Sequence, residues 1–249
     1  MGKLQLQQIS KSYGENHVLQ DVSFHVNEGE FVTIVGPSGS GKSTLFQLIG
    51  GLYPPDQGEI RLDGKKLNHS RGHISYMPQN PSLFPWRTIL QNVLLSSEIA
   101  GQKDTTTALE LIEKAGLGGY EHAYPHQLSG GMKQRVAFIR SLISPQSIIC
   151  LDEPFSALDE FTRFEMQEWL LSIWEQYRKS IIFITHNIEE ALYLSDRILI
   201  LSDKPASIRR EIIVPFPRPR TESMLLSEPF MQLKREIHHE LRGKQQSNS

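Results

Sequence analysis

Two short stretches hold the residues most suited to chemistry. The first, Gly36-Pro37-Ser38-Gly39-Ser40-Gly41-Lys42-Ser43, carries the spacing GxxxxGK[ST], and Thr44 follows it. Glycines at that spacing let the backbone curl until several N–H groups converge on one point, and a helix that starts there adds its positive end. The segment is suited to holding a phosphate. Lys42 would supply a mobile charge for the β- and γ-phosphates of a nucleotide, and the Ser43 hydroxyl would ligate Mg²⁺. The second stretch is Asp152-Glu153, two carboxylates that close the apolar run Ile148-Ile149-Cys150-Leu151. An aspartate there suits a metal's water shell, and a glutamate beside it suits polarisation of an attacking water.

Both stretches need stiff elements around them. Phe31–Val35 is a nearly continuous apolar run that reads as a buried strand before the glycine loop, and Thr44–Ile49 reads as the helix after it. A glycine-rich turn that merely joins a strand to a helix would not need every position of the motif. Asp-Glu-Pro after a strand is, taken alone, as readily the start of a loop; the phosphate-binding loop upstream favours catalysis. The loop still leaves the class open, since kinases, GTPases and motor ATPases share it.

Leu4, Leu6 and Ile9, then Val22, Phe24 and Val26, then Ile60 and Leu62 alternate roughly and are separated by turns such as Tyr13-Gly14 and Asp63-Gly64. They predict half-buried antiparallel strands. Ile148–Leu151, Ile181–Ile184 and Ile198–Leu201 share the continuous apolar texture of Phe31–Val35, as expected of parallel strands covered on both faces. Phe161–Tyr177 reads as a helix, so the core alternates strand and helix. From Leu83 to Ser144 the texture is helical, around Ile89–Ala100, Thr106–Ala115 and Met132–Ile143, with no strand, which predicts a helical insert. After Val214 the prolines of Pro215-Phe216-Pro217-Arg218-Pro219-Arg220 oppose regular structure. A polar stretch with helical character follows, and its end, Gly243–Ser249, is expected to be disordered.

The 249 residues carry 26 basic and 28 acidic side chains, a net charge of −2, so total charge gives no reason to expect nucleic acid or anionic lipid as a partner. Apolar residues make up 39%, sufficient for a core. The lone Cys150 rules out an internal disulfide and sits where a small buried hydrophobe fits, in keeping with a reducing compartment. No stretch approaches the roughly 18 apolar residues of a spanning helix, and the first residues lack a secretory h-region.

Leu128-Ser129-Gly130-Gly131-Met132-Lys133-Gln134-Arg135 resembles the LSGGQ-type signature of ATP-binding cassette (ABC) ATPases, and it reads physically as a second anion site: a hydroxyl on Ser129, exposed N–H groups on Gly130 and Gly131, and a helix beginning there. Other family elements follow in order. Tyr13 resembles the adenine-stacking aromatic; Gln79, after Met77-Pro78, resembles the glutamine that reaches Mg²⁺ and the attacking water. Ser156-Ala157-Leu158-Asp159 resembles the D-loop that crosses a dimer interface, with Asp159 also suited to a helix N-cap, and His186 resembles the switch histidine that contacts the γ-phosphate. Met132 for glutamine and Asn187 for aspartate are departures that remove no catalytic group. The other eight histidines show no ligand spacing.

The resemblance covers residues 4–214 and implies an α/β fold: a P-loop NTPase core with a mostly parallel sheet, an N-terminal antiparallel β subdomain and a helical insert at 83–144. Residues 215–249 form an extension without general counterpart. It implies ATP and Mg²⁺ as cofactors, with Ser43, Gln79 and Asp152 as metal ligands and Glu153, His186 and Gln79 as catalytic. The nucleotide-binding positions are Tyr13 and Gly36 through Thr44; Ser129, Gly130 and Gly131 would act across a homodimer. Ser82–Val93, with its Leu83-Phe84-Pro85-Trp86 core, and Pro217-Arg218-Pro219-Arg220 are similar to elements of the nitrate/sulfonate/taurine importer group. The implied partners are a second ATPase copy, an integral-membrane permease and, indirectly, an extracytoplasmic solute-binding protein, and the implied location is the cytoplasmic face of the membrane. Trp86 fits either core packing or the permease interface. The competing reading is a non-transport cassette that acts as a nucleotide-dependent switch.

Overall fold

The computed structural model describes residues 3–67 and 71–242. The tail Gly243–Ser249, expected to be disordered, lies outside them. In chain order, β1 (Leu4–Tyr13) turns at Gly14 into β2 (Asn16–Val26), followed by β3 (Phe31–Val35), α1 (Lys42–Ile49), β4 (Gln57–Leu62) and β5 (Lys65–Lys66). Then come β6 (Ser75–Met77) and four helices, α2 (Ile89–Val93), α3 (Leu95–Ile99), α4 (Thr105–Lys114) and α5 (Gly130–Ile143). β7 (Ile148–Asp152), α6 (Glu160–Tyr177), β8 (Ser180–Ile184), α7 (Ile188–Leu194) and β9 (Arg197–Leu201) alternate. β10 (Ile208–Ile213), α8 (Glu222–Leu225) and α9 (Glu228–Arg242) complete the chain.

The chain divides into two compact units, Met1–Arg71 with Ser180–Ser249, and Gly72–Lys179. In the first, β2-β1-β4-β5 is an antiparallel sheet whose register sets Leu4, Leu6 and Ile9 opposite Val26, Phe24 and Val22. The buried members of this alternating pattern supply the sheet's apolar face. A second group of strands runs β10-β9-β3-β8, with β3 parallel to both β8 and β9 and β10 antiparallel at the edge. Every residue of β3, β8 and β9 is buried, as their unbroken apolar runs predict. Arg197 at the start of β9 is almost fully enclosed. Its guanidinium donates to Glu30 at 2.8 Å, to Glu211 at 2.9 Å and to the His25 carbonyl, which ties β2 to β9 and β10. A buried arginine is tolerable only with partners of this kind.

In the second unit, β6 lies parallel to β7, and α5 packs against β6, α2, α3, α4 and α6. The expected helix at Ile89–Ala100 is two short helices interrupted at Leu94, which keeps right-handed helical dihedrals and still bonds Leu90 behind it and Glu98 ahead of it. Thr88 and Gln91 form a reciprocal capping box at the start of α2. The buried Asn92 amide bonds the backbone of Phe84, Arg87 and Thr88, fixing the loop before it. Trp86, on that loop, is 70% exposed and leans on Phe84 with ring centres 5.1 Å apart, so core packing is not its role.

Candidate functional site

The glycine loop leaves β3 and enters α1 in the first unit. Its last glycine, Gly41, has φ +100° and is the residue before α1; a Cβ there would meet Val18 Cγ1 at 2.7 Å, so position 41 admits no side chain. No side chain caps the first turn of α1, which leaves its N–H groups for a ligand. Lys42 is buried and its ammonium folds back over the loop, donating to the carbonyls of Gly36 at 2.9 Å and Pro37 at 2.8 Å. Ser40 Oγ is buried without a hydrogen-bond partner among the described residues. A buried hydroxyl left without a partner is costly, and a phosphate oxygen would complete it. Ser38, Gly39 and Ser43 are exposed, Pro37 and Thr44 partly so. The loop therefore fits a nucleotide's phosphates, and the exposed Ser43 hydroxyl is of the chemistry that Mg²⁺ takes.

Tyr13 stands at the end of β1, 44% exposed, edge-on to Tyr53 with ring centres 6.5 Å apart and with the Lys11 ammonium 5.5 Å from its own ring centre. Lys11 in turn pairs with Asp56 at 2.6 Å, and that bond, with one from the Ser12 amide, holds the Asp56 carboxyl below the usual range. An open aromatic face so placed suits stacking on a base.

His186 is exposed in the same unit, between β8 and α7. The turn around it is strongly specified. Thr185 Oγ1 donates to buried Glu190 at 2.5 Å and accepts from the Asn187 amide at 3.0 Å, while Asn187 Oδ1 caps α7 by accepting from the Glu189 and Glu190 amides at 2.8 and 3.3 Å. Asn187 thus does the capping work of the aspartate it stands for.

In the second unit, Asp152 ends β7, buried, and Glu153 follows with φ +43°. A left-handed glutamate is an uncommon, strained backbone state, of the sort that concentrates at functional positions. Ser156 holds it: its amide and hydroxyl both donate to the Glu153 carbonyl, at 3.2 and 2.9 Å. The same Ser156 oxygen accepts from Gln79 Nε2 at 2.9 Å, and Gln134 of α5 donates to the Gln79 carbonyl at 3.3 Å. Gln79, Ser156, Glu153 and α5 are thereby linked in one hydrogen-bonded chain.

Ser129 is the N-cap of α5, its hydroxyl accepting from the Met132 amide at 3.2 Å, and it is exposed together with Gly130. A Cβ at Gly131 would lie 3.0 Å from Thr162 Cγ2, so glycine there lets α5 approach α6. Asp159 caps α6 by accepting from the Thr162 amide at 3.1 Å; these bonds to Thr162 lower its carboxyl pKa. The sequence reading missed Tyr76, whose hydroxyl donates to Asp152 Oδ2 at 3.0 Å. Burial, then the charge of Asp152, pushes the phenol's pKa well up, so it stays a donor. Its strand, β6, is three residues long and Ser-Tyr-Met, too short for a periodicity signal.

Residues 19–156 match the family model described as ABC transporter. Among curated proteins, the chain is 41% identical over 228 residues to the aliphatic sulfonates import ATP-binding protein SsuB of Bacillus cereus, covering 92% of this chain and 90% of that one. It is 41% identical to the nitrate import ATP-binding protein NrtD of a Synechocystis strain, covering 91% and 89%. To the formylaminopyrimidine import ATP-binding protein ThiZ of Halalkalibacterium halodurans it is 44% identical, covering 85% and 84%. Among solved structures, the dimeric post-hydrolysis state of the ATP-binding cassette MJ0796 with ADP and Pi superposes with TM-score 0.73 at 33% identity, covering 86% of this chain and all of that one.

Proposed function

Because this chain belongs to the ABC transporter family of ATP-binding proteins, we propose that it is the ATP-hydrolysing subunit of an importer for a small solute, working as a homodimer beneath a separate membrane permease. No described helix is long and apolar enough to cross a membrane, so the translocation path would come from that permease, and an extracytoplasmic solute-binding protein would deliver the cargo. The working place of such a subunit is the cytoplasmic face of the membrane. The three curated relatives are named for sulfonate, nitrate and formylaminopyrimidine import at 41–44% identity, a spread that selects none of these cargoes.

The loop from Gly36 to Thr44 would bind the phosphates of ATP through backbone N–H groups and Lys42, with Tyr13 against the base. Ser43, Gln79 and Asp152 would hold Mg²⁺, which when bound offsets charge on the phosphate oxygens. Glu153 would take the proton of the attacking water, Gln79 would orient that water, and His186 would donate to the γ-phosphate. Ser129, Gly130 and Gly131 would offer a hydroxyl and N–H groups to the γ-phosphate of the nucleotide on a second copy, with Asp159 at the same interface. Loss of that phosphate would remove what clamps the two copies.

The observation that carries hydrolysis is Glu153, a carboxylate at the end of a buried strand in a left-handed conformation held by Ser156. Glu153→Gln is expected to lower turnover by about 10²- to 10⁴-fold, the usual worth of a general base, while nucleotide affinity stays within about twofold. It should also accumulate an ATP-bound dimer on size-exclusion chromatography. Rapid hydrolysis by this variant would overturn the assignment. Co-purification in detergent with a permease encoded beside it would test the transport role.

A further inference from the structure

α7 directly follows His186 and is only seven residues long. A helix so short has little stability of its own, so its position is set by whatever packs on it. Much of that packing comes from residues C-terminal to β10. Phe230 and Ile237 of α9 and Val214 share a buried apolar cluster with Ala191 and Leu192 of α7, with Ile188, Leu233 and Leu241 packed alongside.

Polar contacts grip both ends. At the C-terminal end, where the last carbonyls of a helix lack internal partners, Arg220 Nη1 donates to the carbonyls of Leu192 at 3.0 Å and Tyr193 at 2.9 Å, and Arg218 Nη2 donates to that of Leu194 at 2.6 Å. The Tyr193 hydroxyl returns a bond to the Arg220 carbonyl at 3.3 Å. Cations at a helix C-terminus are also favoured by the helix dipole. Arg218 further pairs with Asp196 Oδ1, while Asp196 Oδ2 accepts from the amide of Phe31, the first residue of the strand that leads to the glycine loop. At the N-terminal end, Lys234 of α9 donates to Glu189 at 2.5 Å, in the first turn of α7 and three positions from His186.

We propose that Arg218, Arg220 and Lys234 are positioning residues for His186: the segment after β10 clamps α7 at both ends and so fixes where the histidine stands relative to the loop that follows β3. This rests on the reading of His186 as the γ-phosphate contact given above.

The test uses the full chain with Arg218→Ala, Lys234→Glu and the charge swap Glu189→Lys/Lys234→Glu, with Arg220→Lys as the milder change at the buried arginine. Readouts are kcat and KM for ATP, thermal melting, and amide hydrogen exchange. Lys234→Glu should lower kcat by about two- to fivefold, as befits a partly exposed pair, and Arg218→Ala by about tenfold, with KM within about twofold. The swap should restore kcat. Exchange of residues 186–194 should quicken while that of the glycine loop is unchanged. Folded variants with the parent kcat and parent exchange at 186–194 would overturn the proposal, as would losses that follow melting temperature and spread evenly over β3 and the loop. His186→Ala is measured in parallel. If it keeps full turnover, the reading of the histidine fails, and the exchange data alone still decide whether the C-terminal segment holds α7.

Discussion

The phenol oxygen of Tyr76 lies 3.0 Å from Oδ2 of Asp152, donated across two neighbouring parallel strands, β6 and β7. The carboxylate proposed to face the metal is thus oriented from its flank by a neutral donor. A hydrogen bond to a charged group is worth about 1.5–3 kcal/mol when buried, and Tyr76 is 42% exposed, so the lower end applies.

Tyr76→Phe should therefore weaken the apparent affinity for Mg²⁺ in the ATPase reaction by about threefold to tenfold. The melting temperature should change little, because the ring stays. A magnesium titration at saturating ATP decides it; an unchanged half-saturation would show that Asp152 needs no support from the phenol.

Ser156 is the shared partner of Gln79 and of the strained Glu153. Ser156→Ala removes the hydroxyl's two bonds at once. Turnover is expected to fall by about tenfold, the equivalent of one net hydrogen bond in the transition state, with binding of a non-hydrolysable analogue unaffected. Weaker analogue binding in step with turnover would place Ser156 in nucleotide binding instead.

Lys179 sits after α6 with its ammonium donating to the carbonyls of Ser144 and Gln146, and burial pushes its pKa down from 10.5 to about 8. Below pH 8 the group is charged in both folded and unfolded chains. Between about 8 and 10.5 the folded chain sheds the proton and the unfolded chain keeps it, so stability gains from this group as pH rises through that window. The gain is bounded at about 3 kcal/mol. Urea titrations at pH 7.5 and 10 should show it as a difference between the parent and Lys179→Met. Equal pH dependence in the two would mean that the carbonyls keep the ammonium charged.

Much of this molecule was legible in one dimension. Continuous apolar runs foretold β3, β7, β8 and β9, because a strand covered on both faces has no room for alternation, and alternating residues foretold β1, β2 and β4. The glycine loop was readable because its curl demands backbone states that side chains rarely adopt, such as φ +100° at Gly41, a constraint local to the chain. Asp159 was readable as a cap because an N-cap bonds amides two or three residues on, whereas the Ser129 hydroxyl, read as part of an anion site, proves also to cap α5.

What tertiary structure decided were contacts between residues far apart in sequence. β6 and β10 gave no signal, since Ser-Tyr-Met is too short for a period and Arg209-Arg210-Glu211 interrupts one. Trp86 could be read as core or surface until the loop held by Asn92 turned it outward. The roles of Tyr76 beside Asp152 and of Arg218 and Arg220 beneath α7 depend on partners 76, 24 and 28 positions away. Local spacing specifies which groups a turn or cap can satisfy; which distant groups share a low-dielectric interior is fixed only when strands and helices pack.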